Sequence, residues 1–132
     1  MESGIGKSAA EWFLQAEYDL DTAEYMFDGG RYFYSVFMCH LAIEKALKGL
    51  HVARLLSEPP RTHNLTYLAG GLDVKVPSET DAFLSVLSGL SVPTRYPDDL
   101  KRLAREFDRS RSERVLTQTR ETLKWIRTQL PS

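Results

Sequence analysis

The sequence contains a single cysteine, Cys39, and no long run of apolar residues. One thiol excludes an internal disulfide and a zinc site built from several cysteines. Cys39 lies within an apolar helical pattern, which predicts a buried structural thiol. No apolar segment approaches the roughly 20 residues that a membrane-spanning helix needs. The first thirty residues lack a basic start followed by an apolar run, so we expect no signal peptide, no membrane contact and a cytoplasmic location.

Signals for strands and for a phosphate-binding loop are also missing. The sequence shows no sustained alternation of apolar and polar residues and no hairpin turn. Gly4 and Gly6 form a Gly-x-Gly without the preceding strand that such a loop requires. The formal net charge of −1 argues against a general nucleic-acid binder. The charge is uneven, however, because residues 1–30 carry a balance of −6 and residues 31–63 a balance of +3.

Helical periodicity dominates the sequence. A Ser8-x-x-Glu11 capping box precedes apolar residues that recur every three or four positions as far as Phe27, and Gly29-Gly30 ends this first helix. A second helix is predicted from near Arg31. It carries two adjacent apolar rows, which predict a central helix packed against several neighbours.

The later part of the chain predicts shorter elements and one long helix. We expect a short helix through about residue 69, then a helix opened by residues 76–78 with Ser78 and Asp81 in capping positions. A loop over residues 93–98, a short helical piece over 100–107, and a last long helix behind a Ser110-x-x-Glu113 capping box follow. The 132 residues suit one domain, residues 1–132, with one core. The predicted fold is all-α: an antiparallel up-and-down four-helix bundle with one or two extra short helices.

A polar strip on the second helix is the first candidate for chemistry. His40, Glu44 and Lys48 follow one another at intervals of four residues and share one face. His40 and Glu44 together with His51 suggest a metal site, but histidine ligands from a second helix are lacking, so a satisfied polar strip is favoured and no metal or cofactor is expected. Cys39 and His40, as helix neighbours, point in different directions and do not form a catalytic couple.

A cluster of cations is the second candidate. Two predicted loops, residues 55–63 and 91–98, are longer than most bundle connections. If both meet the same end of the bundle, their basic side chains converge into a phosphate site. The converging residues would be Lys45, Lys48, Arg61, His63 and Arg95.

Four segments in the same order resemble the HEPN domain family. They are Ala-Glu-Tyr-Asp-Leu-x-x-Ala at 16–23, Ala-Ile-Glu-Lys-Ala-Leu-Lys at 42–48, Thr-His-Asn-Leu at 62–65 and Thr-Arg-Tyr-Pro-Asp at 94–98. The resemblance covers nearly the whole chain. It implies a helical bundle that commonly dimerises, is proposed to bind nucleotides, and is often encoded beside a minimal nucleotidyltransferase in a two-part, toxin–antitoxin-like system.

Ribonucleases in this family carry an arginine followed, after four to six residues, by a histidine. The sequence departs from that pattern, since the corresponding positions after Arg95 are Leu100, Lys101 and Arg102. The resemblance therefore implies ligand or partner binding without catalysis. The residues implied in nucleotide or partner binding are Glu44, Lys45, Lys48, His63, Arg95, Tyr96 and Asp98.

Three functions remain open from the sequence. The favoured one is a non-catalytic HEPN-like homodimer that binds a nucleotide, a partner nucleotidyltransferase, or both, with exposed aromatic residues such as Trp12, Trp125 and Tyr34 as interface anchors. The second is an RNA-cleaving enzyme that uses His63 or His40 together with Arg95. The third is a scaffold without a ligand, in which these side chains only cap helices and pair with one another.

Overall fold

The computed structural model describes residues 6–95 and 98–132, which form seven helices and no strand. The helices are α1 (Ala9–Asp28), α2 (Tyr32–Leu55), α3 (Leu65–Gly70), α4 (Ser78–Gly89), α5 (Ser91–Arg95), α6 (Leu100–Glu106) and α7 (Arg109–Thr128). The all-α antiparallel bundle expected from the sequence is confirmed, with α1, α2, α4 and α7 as its long helices. No helix in the described part is long and apolar enough to cross a bilayer.

The first two helices form a hairpin at the positions that the sequence predicts. Ser8 caps α1, and its Oγ accepts a hydrogen bond of 3.1 Å from the backbone N–H of Glu11. Gly29 ends the helix, and Gly30 turns the chain with φ +77°, a conformation that favours glycine. The backbone N–H of Arg31 then donates to the Met26 carbonyl over 2.8 Å, which closes the turn.

Helix α2 lies at the centre of the bundle, as its two apolar rows predict. It packs against α1 most extensively, then against α7, and also contacts α3, α5 and α6. Its fully buried apolar side chains include Val36, Ile43, Leu47 and Leu50. Cys39 is also fully buried, and burial raises the pKa of its thiol to about 12. The thiol is therefore neutral at physiological pH and structural, as expected.

Two helix starts differ from the sequence expectation. Helix α7 is capped by Asp108, whose Oδ1 accepts from the backbone N–H of Arg111 over 2.8 Å, so the prediction of Ser110 as the cap is wrong. Ser110 lies inside the helix, and its Oγ accepts instead from Arg114 Nη1. Helix α4 takes Pro77 as its N-cap without a side-chain hydrogen bond, although Ser78 was expected to cap it.

The expected loop over residues 93–98 begins as a helix. Helix α5 occupies Ser91–Arg95 and follows α4 almost directly. Pro93 fits its first turn, where the missing N–H would have no acceptor within the helix. The Thr94 hydroxyl donates to the Leu90 carbonyl over 2.7 Å. Tyr96 and Pro97 lie outside the described residues.

Candidate functional site

A buried carboxylate on α2 organises the main polar cluster of the structure. Glu44 is only 6% exposed, yet it lies among apolar side chains of the central helix. Its Oε2 accepts a hydrogen bond of 3.0 Å from Lys48 Nζ, one turn further along α2. Its Oε1 lies 2.9 Å from Nδ1 of His63, which precedes α3. Both oxygens are thus engaged, as a buried charge requires.

His40 also contacts this arrangement, through the backbone of His63. Its ring is fully buried, and its Nε2 lies 3.0 Å from the backbone carbonyl oxygen of His63. Because a carbonyl only accepts, the His40 ring donates from Nε2. His40 Nδ1 lies 3.8 Å from Glu44 Oε1. The four residues His40, Glu44, Lys48 and His63 are called the Glu44 cluster below. Within it, His63 alone reaches well into solvent, with 60% of its side chain exposed.

An open groove of about 770 Å³ lies beside the Glu44 cluster. One wall comes from residues 6–12 at the start of α1, and the other from residues 58–61 after α2. The two walls are tied together, since the backbone N–H of Gly6 donates to Glu58 Oε2 over 2.9 Å. Lys48 belongs to both the groove and the cluster, so it links the buried Glu44 carboxylate to the groove.

The groove combines an indole ring with three cationic side chains. Trp12 is partly buried, and Lys7 Nζ lies 4.0 Å from its ring centroid. Lys48 Nζ lies 5.7 Å from the same centroid, within the range of a cation–π contact. Arg61 is exposed at the second wall. The groove, which Glu11 and Glu58 also line, thus places cationic side chains beside an aromatic ring.

The structure brings together some of the residues predicted for the site and separates others. Glu44, Lys48 and His63 meet in one cluster, and Arg61, expected in the cationic group, lines the adjoining groove. Lys45 does not join them, because its Nζ pairs with Asp19 of α1 over 2.8 Å.

The remaining predicted site residues lie at the end of α5 and just after it in the sequence. Asp98 is exposed. The side chain of Arg95 and the whole of Tyr96 lie outside the described residues, so their part in the predicted site remains a prediction.

The metal site considered from the sequence does not assemble. His51 Nε2 lies 3.1 Å from Ser57 Oγ, not beside the Glu44 carboxylate, and burial lowers the pKa of the His51 imidazole. Over residues 6–95 and 98–132, no group of three or more His, Cys, Asp or Glu side chains is arranged to hold a metal ion.

Sequence reasoning missed Lys7 and Glu58 as parts of the site. Nothing in their local pattern marks them, since each lies outside a helix and joins the groove only through the tertiary fold. Trp12 carried a usable signal, because it falls off the apolar stripe of α1, but that signal suggested an interface anchor rather than a groove wall. Gly49 also contributes, because its missing side chain lets α1 bring Trp12 close to α2.

Comparison with known protein families assigns the chain to one of them. The family model for the HEPN domain matches residues 9–129, nearly the whole chain. The chain belongs to the HEPN domain family. The resemblance carried by the four short segments is thereby confirmed.

Two solved structures are similar to this HEPN-domain chain. TT1696 from Thermus thermophilus is 32% identical, with a TM-score of 0.84 over 92% of this chain and 98% of that one. ST0689, an archaeal HEPN homologue, is 25% identical, with a TM-score of 0.79 over 96% of this chain and 100% of that one. No curated protein matches the sequence. Since nearly the full length of both structures is covered, the kinship extends across the whole bundle.

Proposed function

We propose that this HEPN-domain chain is a non-catalytic homodimer that binds a nucleotide and acts with a partner minimal nucleotidyltransferase. The observation that carries the proposal is the placement of the Glu44 cluster beside the cationic groove. Lys48 is nearly buried and is held by Glu44 at 3.0 Å, yet it also lines the groove. A positioned cation at the edge of an open groove suits recognition of a phosphate group.

The proposal that the chain is not an enzyme rests on the sequence around its arginines and histidines. No arginine is followed at the required distance by a histidine, so the family's ribonuclease pattern is absent from the sequence. His63 Nδ1 is held by Glu44, and the backbone at His63 is held by His40. These contacts hold the loop that precedes α3 and orient the His63 ring, to which the proposal assigns no catalytic step.

Isothermal titration calorimetry tests the nucleotide part of the proposal. The full chain is titrated with ATP, ADP and AMP, and we expect saturable heat at concentrations up to millimolar. Glu44→Gln weakens binding because Lys48 loses the carboxylate that positions it. Glu113→Gln, an exposed carboxylate of α7, serves as a control and binds like the wild type. Absence of heat with all three nucleotides would remove this part of the proposal.

The ribonuclease alternative is tested with the same protein. Purified chain is incubated with labelled single-stranded RNA in the presence of a chelator, next to His63→Ala. We expect no cleavage by either protein. Cleavage that His63→Ala abolishes would overturn the assignment as a non-enzyme.

Self-association and the partner are tested by light scattering coupled to size exclusion. We expect the mass of two chains at micromolar concentration. Exposed aromatic side chains support such contacts, among them Tyr18 at 74% and Tyr25 at 77% exposure. A second run adds a purified minimal nucleotidyltransferase from the same genome, and co-elution is expected. If the chain elutes as a monomer and its elution does not change when the nucleotidyltransferase is added, both the proposed homodimer and the proposed partner are refuted.

A further inference from the structure

The cations of the groove are available to an incoming anion. Lys7 and Arg61 make no ion pair with a carboxylate within residues 6–95 and 98–132. Lys48 pairs with Glu44, and its three N–H donors leave capacity for a second acceptor. Three cations around one groove therefore have unused donors that face the same space.

The two carboxylates of the groove are turned toward other groups. Glu58 Oε2 accepts from the Gly6 backbone N–H at 2.9 Å, and Glu11 Oε2 accepts from Gln15 Nε2 at 2.9 Å. They anchor the rims of the groove. Together with Glu44, which pairs with Lys48, these carboxylates balance the three cations, so the groove favours an anion held by direct hydrogen bonds over a long polyanion held by a general field.

The size of the groove and its indole limit the ligand further. A volume of about 770 Å³ exceeds what one inorganic phosphate fills and lies within the range of small-molecule sites. Trp12 offers a flat aromatic face, and stacking of a base on an aromatic ring tolerates any base. A ligand that carries both phosphates and an aromatic base uses all these features together.

We propose that the groove between residues 6–12 and 58–61 is the binding site, or seat, of a nucleoside di- or triphosphate. The phosphates bind Lys7, Lys48 and Arg61, and the base stacks on Trp12. Lys7 now covers the indole and also donates a long hydrogen bond of 3.4 Å to Gln15 Oε1. Its flexible ammonium turns to the phosphates when they bind, and this frees the indole face for the base.

Lys48 has two acceptors in this arrangement. It keeps its hydrogen bond to Glu44 Oε2 and adds one to a phosphate oxygen, so the buried carboxylate fixes the direction from which it binds. This inference rests on the proposed nucleotide binding and goes beyond it by naming the seat and the form of the ligand. Neither Trp12 nor Lys7 belongs to the nucleotide-binding residues that the sequence suggested, although Trp12 was expected at a protein interface.

A single-tryptophan variant tests the seat directly. The chain has two tryptophans, and Trp125→Phe leaves Trp12 as the sole reporter of indole fluorescence. Titration of this variant with ATP is expected to quench the emission, and an equal concentration of adenosine is not. Inorganic tripolyphosphate is expected to compete with ATP, because it occupies the cations without covering the indole.

Substitutions of two groove cations provide a second test of the proposed binding site. Lys7→Ala and Arg61→Ala are each expected to weaken ATP binding roughly tenfold, because each removes a charge-assisted hydrogen bond. Both side chains lie outside the apolar core, so the fold is retained, which the far-UV circular dichroism spectrum checks. The matched control is Lys101→Ala on α6, an exposed cation away from the groove, and it is expected to bind like the wild type.

The outcomes separate this inference from the proposed function. If calorimetry detects ATP binding to the wild type while Lys7→Ala and Arg61→Ala bind equally well and Trp12 emission stays constant, the seat is elsewhere and the proposed function stands. If no nucleotide binds at all, both fail. Binding of single-stranded RNA without binding of ATP also overturns the inference, because it indicates an extended strand rather than a nucleotide seat.

Discussion

Gly49 of α2 lies directly against Trp12 of α1. A Cβ built on Gly49 would be 2.9 Å from the Trp12 Cβ and 2.9 Å from Phe13 Cδ2. Real Cβ atoms do not approach so closely, so the α1–α2 contact requires the absence of a side chain at this position. The same contact places the indole at the groove.

Gly49→Ala is therefore expected to destabilise the chain by about 1–3 kcal/mol, because the added methyl group forces α1 away from α2. Gly89→Ala at the end of α4 is the matched control, since its Cβ meets nothing within 4 Å. That substitution should leave stability unchanged or raise it slightly by restricting the unfolded chain. Urea unfolding monitored by circular dichroism measures both, and equal midpoints for the two variants would contradict the close contact.

Glu44→Gln removes the charge that Lys48 and His63 share. We expect a loss of roughly 3 kcal/mol in the free energy of unfolding, because Lys48 is left without its carboxylate in a nearly buried position. Glu17→Gln removes an exposed partner of Arg127, in a pair whose two side chains are 43% and 42% exposed. The free energy of unfolding of this control variant should fall by less than about 1 kcal/mol. Urea unfolding of both variants checks the difference.

The double substitution Glu44→Gln with Lys48→Met sharpens this prediction. Replacing both charges by neutral groups of similar shape should restore part of the lost stability, since no unpaired charge is left buried. A double variant less stable than Glu44→Gln alone would show that the pair itself, rather than the uncompensated lysine, accounts for the loss.

Asp108→Ala is expected to destabilise the chain by about 0.5–2 kcal/mol, because it removes the N-cap of α7 and its hydrogen bond to the Arg111 N–H. Ser110→Ala should change stability by less than about 0.5 kcal/mol, since Ser110 lies inside the helix and only its exposed contact with Arg114 is lost. Thermal unfolding ranks the two. A larger loss of stability in Ser110→Ala than in Asp108→Ala would indicate that Ser110 is the cap.

Cys39 gives a prediction about pH. Burial raises the pKa of its thiol to about 12, although a hydrogen bond with Thr119 acts in the opposite direction. The folded state thus holds the proton more tightly than the unfolded state, for which the reference value is 9.0. The resulting contribution to stability is complete below pH 9 and is lost as pH rises toward 12.

Thiol labelling with a coloured disulfide reagent checks this at about pH 8, where the exposed thiol of an unfolded chain reacts readily. We expect no reaction in the native chain and one reacting thiol per chain in concentrated urea, since the sequence has a single cysteine. In alkaline titrations, Cys39→Ala should lose less stability than the wild type between pH 9 and pH 12. Rapid labelling of the native chain would contradict the buried position.

Local patterns predicted the long helices but not every cap. The apolar rows of α1 and α2 recur over many residues, so their periodicity identifies both helices and the central place of α2. Choosing between Asp108 and Ser110 as a cap depends on a single residue, and both types cap well. In the structure α7 begins at Arg109, so Asp108 occupies the N-cap and Ser110 lies inside the helix.

In the candidate site, too, contacts within one helix were predictable from the sequence and contacts between elements were not. Glu44 and Lys48 are related by helical spacing, so the sequence alone places them together. His63 joins them across nineteen residues because His40 binds its backbone carbonyl, a contact that spacing does not reveal. Lys45 was expected in the same site, but its neighbouring position on α2 points it toward α1, where Asp19 is buried.

The short turn between α1 and α2 bears on how the chain folds. The most extensive helix–helix contact of the bundle joins two helices separated only by residues 29–31. Closing so short a loop loses little chain entropy, and local contacts form quickly. We therefore expect the hairpin to assemble early, with α7 docking onto it later.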